Sequence, residues 1–417
     1  MTFAPDDLVR PFAGLRPAPG RAADIAAPPY DVVNTDEARA IAAGKPFCFF
    51  HVSRAEIDLP ADTDPYADEV YATAAKNLRS FEDSGVLVRD SAPCFYVYRI
   101  TAGGRSQTGI AVSASVQAYH ENRIKKHELT RPAKEDDRVR QIEAVNSITG
   151  PVFTVHRANT DLAALVDRVA TVTPDASADG IGGALHELWV VSAAALIAEI
   201  GTLINAMDAL YIADGHHRSA AGGRIAATRA AANPAHDGSE AYNGFLAVSF
   251  PDDEVTILDY NRVVRDLNGR DASGFRDALA EQFDLTPQDA PVRPAARGTF
   301  GMYLDGAWVL LTPKTPPAMD DPVERLDVQV LARMVLEPLL GIADQRTDTR
   351  IDFVGGSRGP EEIARRVDSG EMAVGLTFFP TSLADLMAVA DADMIMPPKS
   401  TWFEPKLADG MISLPLD

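Results

Sequence analysis

Residues 209–232 restrict the fold more than any other stretch of the chain. Ala209-Leu210-Tyr211-Ile212-Ala213 is apolar, and it halts at Asp214-Gly215. After His216-His217-Arg218 comes 219–232, so rich in alanine that it reads as helix although Gly222 and Gly223 each weaken it by ~1 kcal/mol. Any fold for this chain must accommodate a strand that passes through a tight turn straight into a helix.

That turn carries chemistry. Gly215 permits a sharp reversal or a close backbone approach to a ligand. The N-terminus of the following helix offers unpaired N–H groups and a partial positive charge, which together favour phosphate. His216, His217 and Arg218 add side-chain donors, and a guanidinium grips phosphate bidentately. Asp214, at the end of the strand, is placed for Mg2+ or a substrate amine. The second candidate is His127-Glu128. A carboxylate beside His127 and Lys126 is suited to act as general base on a hydroxyl attacking phosphorus. Zinc is not expected. Adjacent histidines are poor partners for one ion, and no His-x-x-x-His or cysteine pair completes a tetrahedral set. There is no Gly-x-x-x-x-Gly-Lys-Ser/Thr and no Asp-Phe-Gly.

Elsewhere strands and helices intermix without regular βαβ alternation, which predicts an α+β fold. The mostly apolar run 47–52 reads as a buried strand, and 66–83 as a helix ending at Gly85. Residues 94–100 and 109–118 form a hairpin, 136–145 a helix and 151–156 a strand. Asp305-Gly306 turns a hairpin between 298–304 and 307–311. At 417 residues, two or three structural units are expected, with the Asn233-Pro234 to Gly238 loop as a boundary.

Composition narrows the partners. A net charge of −21 repels nucleic acid and anionic membranes unless one face is locally basic. The eight lysines are unevenly spread, and five of them (Lys125, Lys126, Lys134, Lys399, Lys406) fall in two short stretches. Such clustering suits either a solvated face or an anionic substrate. No apolar stretch reaches the ~20 residues of a membrane span. The first residues show neither a basic start nor an apolar core of a secretory signal. Cys48 and Cys94 read as two small buried hydrophobes, and a cytoplasmic location is expected.

Asp214-Gly215-His216-His217-Arg218 resembles the signature of the ParB/sulfiredoxin-like superfamily, in particular its free-serine kinase branch. The full chain is similar to the bacterial "domain of unknown function 1015" family. The residues carrying that likeness are Pro28-Pro29-Tyr30-Asp31-Val32, the run 51–56, Lys126-His127-Glu128-Leu129-Thr130, 213–218 and the proline- and lysine-bearing segment 396–406. One departure is Asn261, standing where a histidine before Arg262 would be expected. The resemblance implies a ParB/sulfiredoxin-like core over 106–235, flanked by an N-terminal unit (1–105) and a C-terminal α+β unit (236–417). It implies phosphoryl transfer to the hydroxyl of a small amino acid, free serine foremost, with Mg2+ as cofactor. In it Glu128 and Asp214 would be catalytic. Gly215, His216, His217, Arg218 and Lys399 would hold the phosphate donor, with Lys406 a further charge, and His127 and Arg54 would bind the acceptor. A nucleotide-binding switch and a phosphoserine-dephosphorylating enzyme are the alternatives. The expected partners are a small substrate and a phosphate donor, with self-association as a homodimer and neither nucleic acid nor membrane.

Overall fold

The computed structural model describes residues 2–315 and 320–417. The chain mixes helices with several sheets and divides into two compact units, Met1–Val255 with Pro405–Asp417, and Thr256–Glu404. This differs from the three consecutive units expected. Position 105/106 falls at the head of a hairpin, where Phe95–Ala102 pairs with Arg105–Ser115. The expected boundary after 235 also lies inside the first unit, because Gly244–Pro251 pairs antiparallel with Arg105–Ser115 and parallel with Val152–His156.

The first unit is organised on a nine-stranded mixed sheet. Its order is Ile124–Lys125, Leu210–Asp214, Val152–His156, Gly244–Pro251, Arg105–Ser115, Phe95–Ala102, Ala184–Val191 and Ala176–Ile181, with Val9–Arg10 added beside Arg105–Ser115. The central strands are buried along nearly their whole length, as in a sheet covered on both faces. The helix His216–Ala232 packs on Gly244–Pro251. At Gly222 a Cβ would come within 2.9 Å of the Phe245 Cβ, so the helix-weakening glycine allows this close approach. Pro132–Val145 lies against that helix, tied by Arg224 to Glu135 and Asp136 and by Arg229 to Glu143.

An apolar cluster in the N-terminal hundred residues gathers Ile25, Ala38, Phe49, Phe50, Val70, Leu78 and Phe81. Here 47–52 is not the strand expected. Phe50–Ser53 is a helical turn and continues into the short helix Ala55–Asp58. With His51 its one polar residue, this run shows neither period, and a largely buried segment can take either conformation. Asp68–Asp83 forms the expected helix, with Val70, Ala74, Leu78 and Phe81 on its buried face. Residues 116–118, expected to prolong a strand, begin the helix Val116–His120, capped by the Ser115 hydroxyl.

The last thirteen residues return to the first unit. Ala27 and Asp409 exchange backbone hydrogen bonds, as do Leu15 and Ser413, and Leu414–Pro415 pairs with Ser147–Ile148.

The second unit holds a six-stranded antiparallel sheet, ordered Phe283–Gln288, Ala307–Pro313, Phe300–Leu304, Val374–Phe378, Tyr260–Val264 and Ile351–Gly355. Asp305 and Gly306 turn its hairpin with φ of 53° and 75°, the left-handed pair that a two-residue loop requires. Asn261 is fully buried and accepts the Phe378 N–H at 3.1 Å while donating to Asp259. A polar link inside this sheet therefore occupies the position of the missing histidine. Cys48 and Cys94 are free and buried. No helix among the described residues is long and apolar enough to cross a membrane.

Candidate active site

Strand pairing assembles the site. Ile124–Lys125 runs parallel to the start of Leu210–Asp214, with Ile124 opposite Leu210 and Lys125 opposite Tyr211. His127 and Glu128 follow directly and therefore arrive beside the end of the neighbouring strand, where Asp214, Gly215 and His216 lie. Gly215 adopts φ 96° and ψ 28°, and the helix begins at His216 with no side-chain cap at its N-terminus. Any Cβ at Gly215 would be strained there and would approach the Arg218 Nε to 3.0 Å. The expected strand, turn and helix are all present, and the helix takes in His216 and His217.

Asp214 is surrounded by donors. Its Oδ1 accepts the Gly215 N–H at 2.9 Å, its Oδ2 accepts Lys406 Nζ at 2.9 Å, and the Arg218 Nη2 is 3.9 Å away. Burial favours the neutral acid, but Lys406 and then Arg218 outweigh it and hold the carboxyl well below the usual range. Mg2+ does not fit this carboxylate. Its oxygens face two cations and a backbone N–H, a donor set that suits an anion.

Arg218 was expected to face a phosphate. Instead it is 7% exposed, and its guanidinium folds back over Gly215 to donate to the Pro151 carbonyl. Burial pulls its pKa down, but Asp214, Asp31, Tyr30 and Asp409 together raise it above the ordinary value. Several anionic or polar partners on the protein side thus hold the guanidinium inward. Gly150 leaves room for it, since a Cβ there would meet the Arg218 Cδ at 3.3 Å.

Asp409 belongs to the same network and was not foreseen. It is 2% exposed, and its Oδ2 accepts the Tyr30 N–H at 3.2 Å. Burial pushes its carboxyl up to about 7, against the pull of Arg218. The Pro28–Pro29–Tyr30–Asp31 segment is thereby brought to the site, with the Arg138 guanidinium 3.9 Å from the Tyr30 ring centroid. Arg54, expected to bind substrate, holds this segment from behind. It donates to the carbonyls of Tyr30 (3.0 Å) and Val33 (2.9 Å), to Thr35 Oγ1 and to Glu56. Its geometry is that of a positioning residue.

The two neighbouring histidines face different partners. His217 Nε2 accepts the Arg131 N–H at 3.0 Å, and burial followed by Arg131 lowers its pKa. That bond requires an unprotonated Nε2. His216 is buried edge-on against His127, with ring centroids 4.5 Å apart, and its Nδ1 lies 3.8 Å from Glu128 Oε2. Burial pushes His127 down to about 4 and His216 well below its ordinary value, so both rings are neutral at pH 7. Glu128 is the exposed member, with 44% of its side chain accessible.

Lys406 is the lysine of the C-terminal segment that meets Asp214. Lys399 belongs to the second unit, where its Nζ lies 5.6 Å from the Tyr260 ring centroid. Within the first unit, the structure brings together Glu128, His127, Asp214, Gly215, His216, His217, Arg218 and Lys406. It adds Asp31, Arg138 and Asp409, of which only Asp31 sat in a motif visible in the sequence.

A family model described as "Protein of unknown function (DUF1015)" matches residues 9–329. No curated protein matches the sequence. Similar solved structures include a free serine kinase in complex with AMP (13% identity, TM-score 0.33, covering 68% of this chain and 84% of that one). A conserved hypothetical protein from Pyrococcus furiosus has 11% identity and a TM-score of 0.32, covering 69% of this chain and 90% of its own. SbnI with a C-terminal truncation, from Staphylococcus aureus, has 11% identity and a TM-score of 0.36, covering 72% and 85%. Likeness of that depth assigns no reaction to this chain.

Proposed function

We propose that this chain, which belongs to the DUF1015 family, is a phosphotransferase that moves a phosphoryl group to the hydroxyl of a small amino acid, free serine being the first candidate. One observation carries the reading. An accessible carboxylate, Glu128, stands 3.8 Å from a residue in the first turn of a helix whose N-terminus has no side-chain cap. A base for a hydroxyl and a cradle for a phosphate are therefore adjacent.

In this proposal the acceptor hydroxyl gives its proton to Glu128 as its oxygen attacks phosphorus, while the P–O bond to the rest of the donor breaks and the shortened phosphate leaves with the electron pair. The first-turn N–H groups after Gly215 take the negative charge of the transferring group. His127 and His216, both neutral, line the space between. Asp214 acts by position, fixing Lys406 and the turn, and Arg218 steadies the turn from within. The core is read as ParB/sulfiredoxin-like. A donor carrying phosphates would bring its own Mg2+, and no step is assigned to that ion.

The test is phosphorus NMR of the full chain with Mg2+, serine and ATP, ADP or pyrophosphate in turn. Growth of a phosphoserine resonance with one donor is the expected result. Donor hydrolysis without it would support a nucleotide-binding switch, and phosphate release from added phosphoserine would support a phosphatase. Either outcome overturns the transferase reading.

A further inference from the structure

His127, Glu128 and His216 offer one ligand atom each, all within 4.8 Å of one another. The two histidines are 3% and 4% exposed, and each keeps one ring nitrogen, His127 Nδ1 and His216 Nε2, buried with no hydrogen-bond partner. Buried polar atoms are rarely left so, because each forfeits the hydrogen bond it would make with water unless something occupies it. These orphaned nitrogens sit on rings whose centroids are 4.5 Å apart, and the Glu128 carboxylate approaches the same pair at His216 Nδ1, 3.8 Å away.

We propose that His127, Glu128 and His216 form a binding site for one divalent transition-metal ion, a two-histidine, one-carboxylate set of the kind taken by Zn2+, Co2+ or Mn2+. Imidazole nitrogen favours these ions over Mg2+, which prefers oxygen ligands alone. The second nitrogen of His127 faces the Ile212 carbonyl. A ring N–H donated to a backbone carbonyl fixes the tautomer and turns the other nitrogen's lone pair toward the ion, as is usual for metal-bound histidine. Three protein ligands leave further positions for water or a substrate oxygen.

The spacing needs modest closure. Ligand atoms around a tetrahedral ion with bonds of ~2.1 Å sit roughly 3.4 Å apart, so a set within 4.8 Å has to contract by about an ångström. Rotation of the exposed Glu128 side chain can supply much of this. The adjacent pair His216-His217 is not the set, since His217 Nε2 is occupied by the Arg131 N–H. The partners come from two segments, and no His-x-x-x-His spacing could reveal them.

This site does not depend on the phosphotransferase reading. One oxygen of Glu128 suffices as a ligand, leaving the other to accept a proton, and occupancy is measured without turnover. The experiment is titration of the metal-stripped full chain with Co2+, followed by its visible absorption, and with Zn2+ by calorimetry. One equivalent should bind with micromolar affinity or better, with a ligand-field band of a nitrogen-containing site, and a large excess of Mg2+ should not displace it. His216→Asn and His127→Gln should each weaken binding at least 100-fold. Glu128→Gln, at an exposed position that threatens folding least, should weaken it about tenfold, whereas His236→Gln in a remote loop should change nothing. Circular dichroism of each variant separates loss of binding from loss of fold. Absence of one-to-one binding below millimolar Co2+ and Zn2+ would overturn the proposal, as would binding indifferent to His127 and Glu128.

Discussion

Replacing Lys406 with methionine keeps most of the side chain's length and apolar stem but removes the ammonium that sits 2.9 Å from Asp214 Oδ2. At an effective dielectric of about 20, the gross attraction of such a pair is on the order of 4–6 kcal/mol, and desolvation cancels much of it. With side chains 20% and 31% exposed, the pair falls between surface bridges worth ~0.2–1 kcal/mol and buried pairs whose breaking costs ~3–5 kcal/mol. Lys406→Met should therefore destabilise the first unit by about 1.5–3 kcal/mol at pH 7, and in a double-mutant cycle with Asp214→Asn the coupling should be about 1–2 kcal/mol. Two units preclude a single two-state curve. The free energies are better read by native-state hydrogen exchange at amides of 210–218 in increasing urea. The pH dependence follows from the depressed carboxyl of Asp214. Its stabilisation is complete above the unfolded value of 3.8 and is lost as pH falls through the lower folded value. The deficit of Lys406→Met should accordingly persist at pH 5 and shrink only in strong acid. A coupling below about 0.5 kcal/mol would show that the tail docks through its backbone and apolar contacts alone.

Arg218→Ala should cost about 3–5 kcal/mol, because it leaves the half-buried Asp214 and the buried Asp409 carboxyls without their shared cation; native-state hydrogen exchange at amides of 210–218 unchanged from the parent would contradict the network. Asp409 has its carboxyl raised from 3.8 to about 7, so between those values the folded state holds a proton that the unfolded chain has released, and stability falls as pH rises. Asp409→Asn should flatten that slope, removing a loss of up to about 4 kcal/mol complete above pH 7, and equal pH profiles in thermal unfolding from pH 4 to 8 would refute it. Glu128→Gln should lower kcat by ~10²–10⁴-fold with donor affinity unchanged, while near-parental turnover would place the base elsewhere. Glu56 would be a poor substitute, being buried and bonded to Arg54 and Thr35.

The turn was legible because its chemistry is local. An apolar strand, a glycine that must take φ 96° and an alanine-rich helix follow one another without interruption. Helix 68–83 was legible for the same reason, through its 3.6-residue period. Phe50 was misread because a mostly apolar run broken only by His51 carries no clear period, and its packing against the helix 68–83 decides its conformation. The inward turn of Arg218 was hidden for another reason. It depends on Asp31, Pro151 and Asp409, which are nearly 200 residues away on either side of it or supplied by the backbone, and no spacing rule links them. The metal-ligand set escaped similarly, since strand pairing rather than sequence interval puts His127 beside His216.

The return of residues 405–417 bears on the order in which the chain can fold during synthesis. The hydrogen bond from Tyr30 to Asp409 spans 379 residues, and neither Lys406 nor Asp409 exists while the first 255 are emerging from the ribosome. Until then Arg218 lacks one carboxylate and Asp214 its nearest cation, so the nascent first unit waits with unbalanced charge at its turn. The inserted unit shortens that wait. Thr256 pairs with Glu404 across a two-stranded ribbon, so once 256–404 has folded, the points where the chain leaves and re-enters the first unit are already adjacent. The entropic cost of closing a loop of nearly 400 residues is replaced by that of closing a short one, and this later-made segment is delivered to the site it completes.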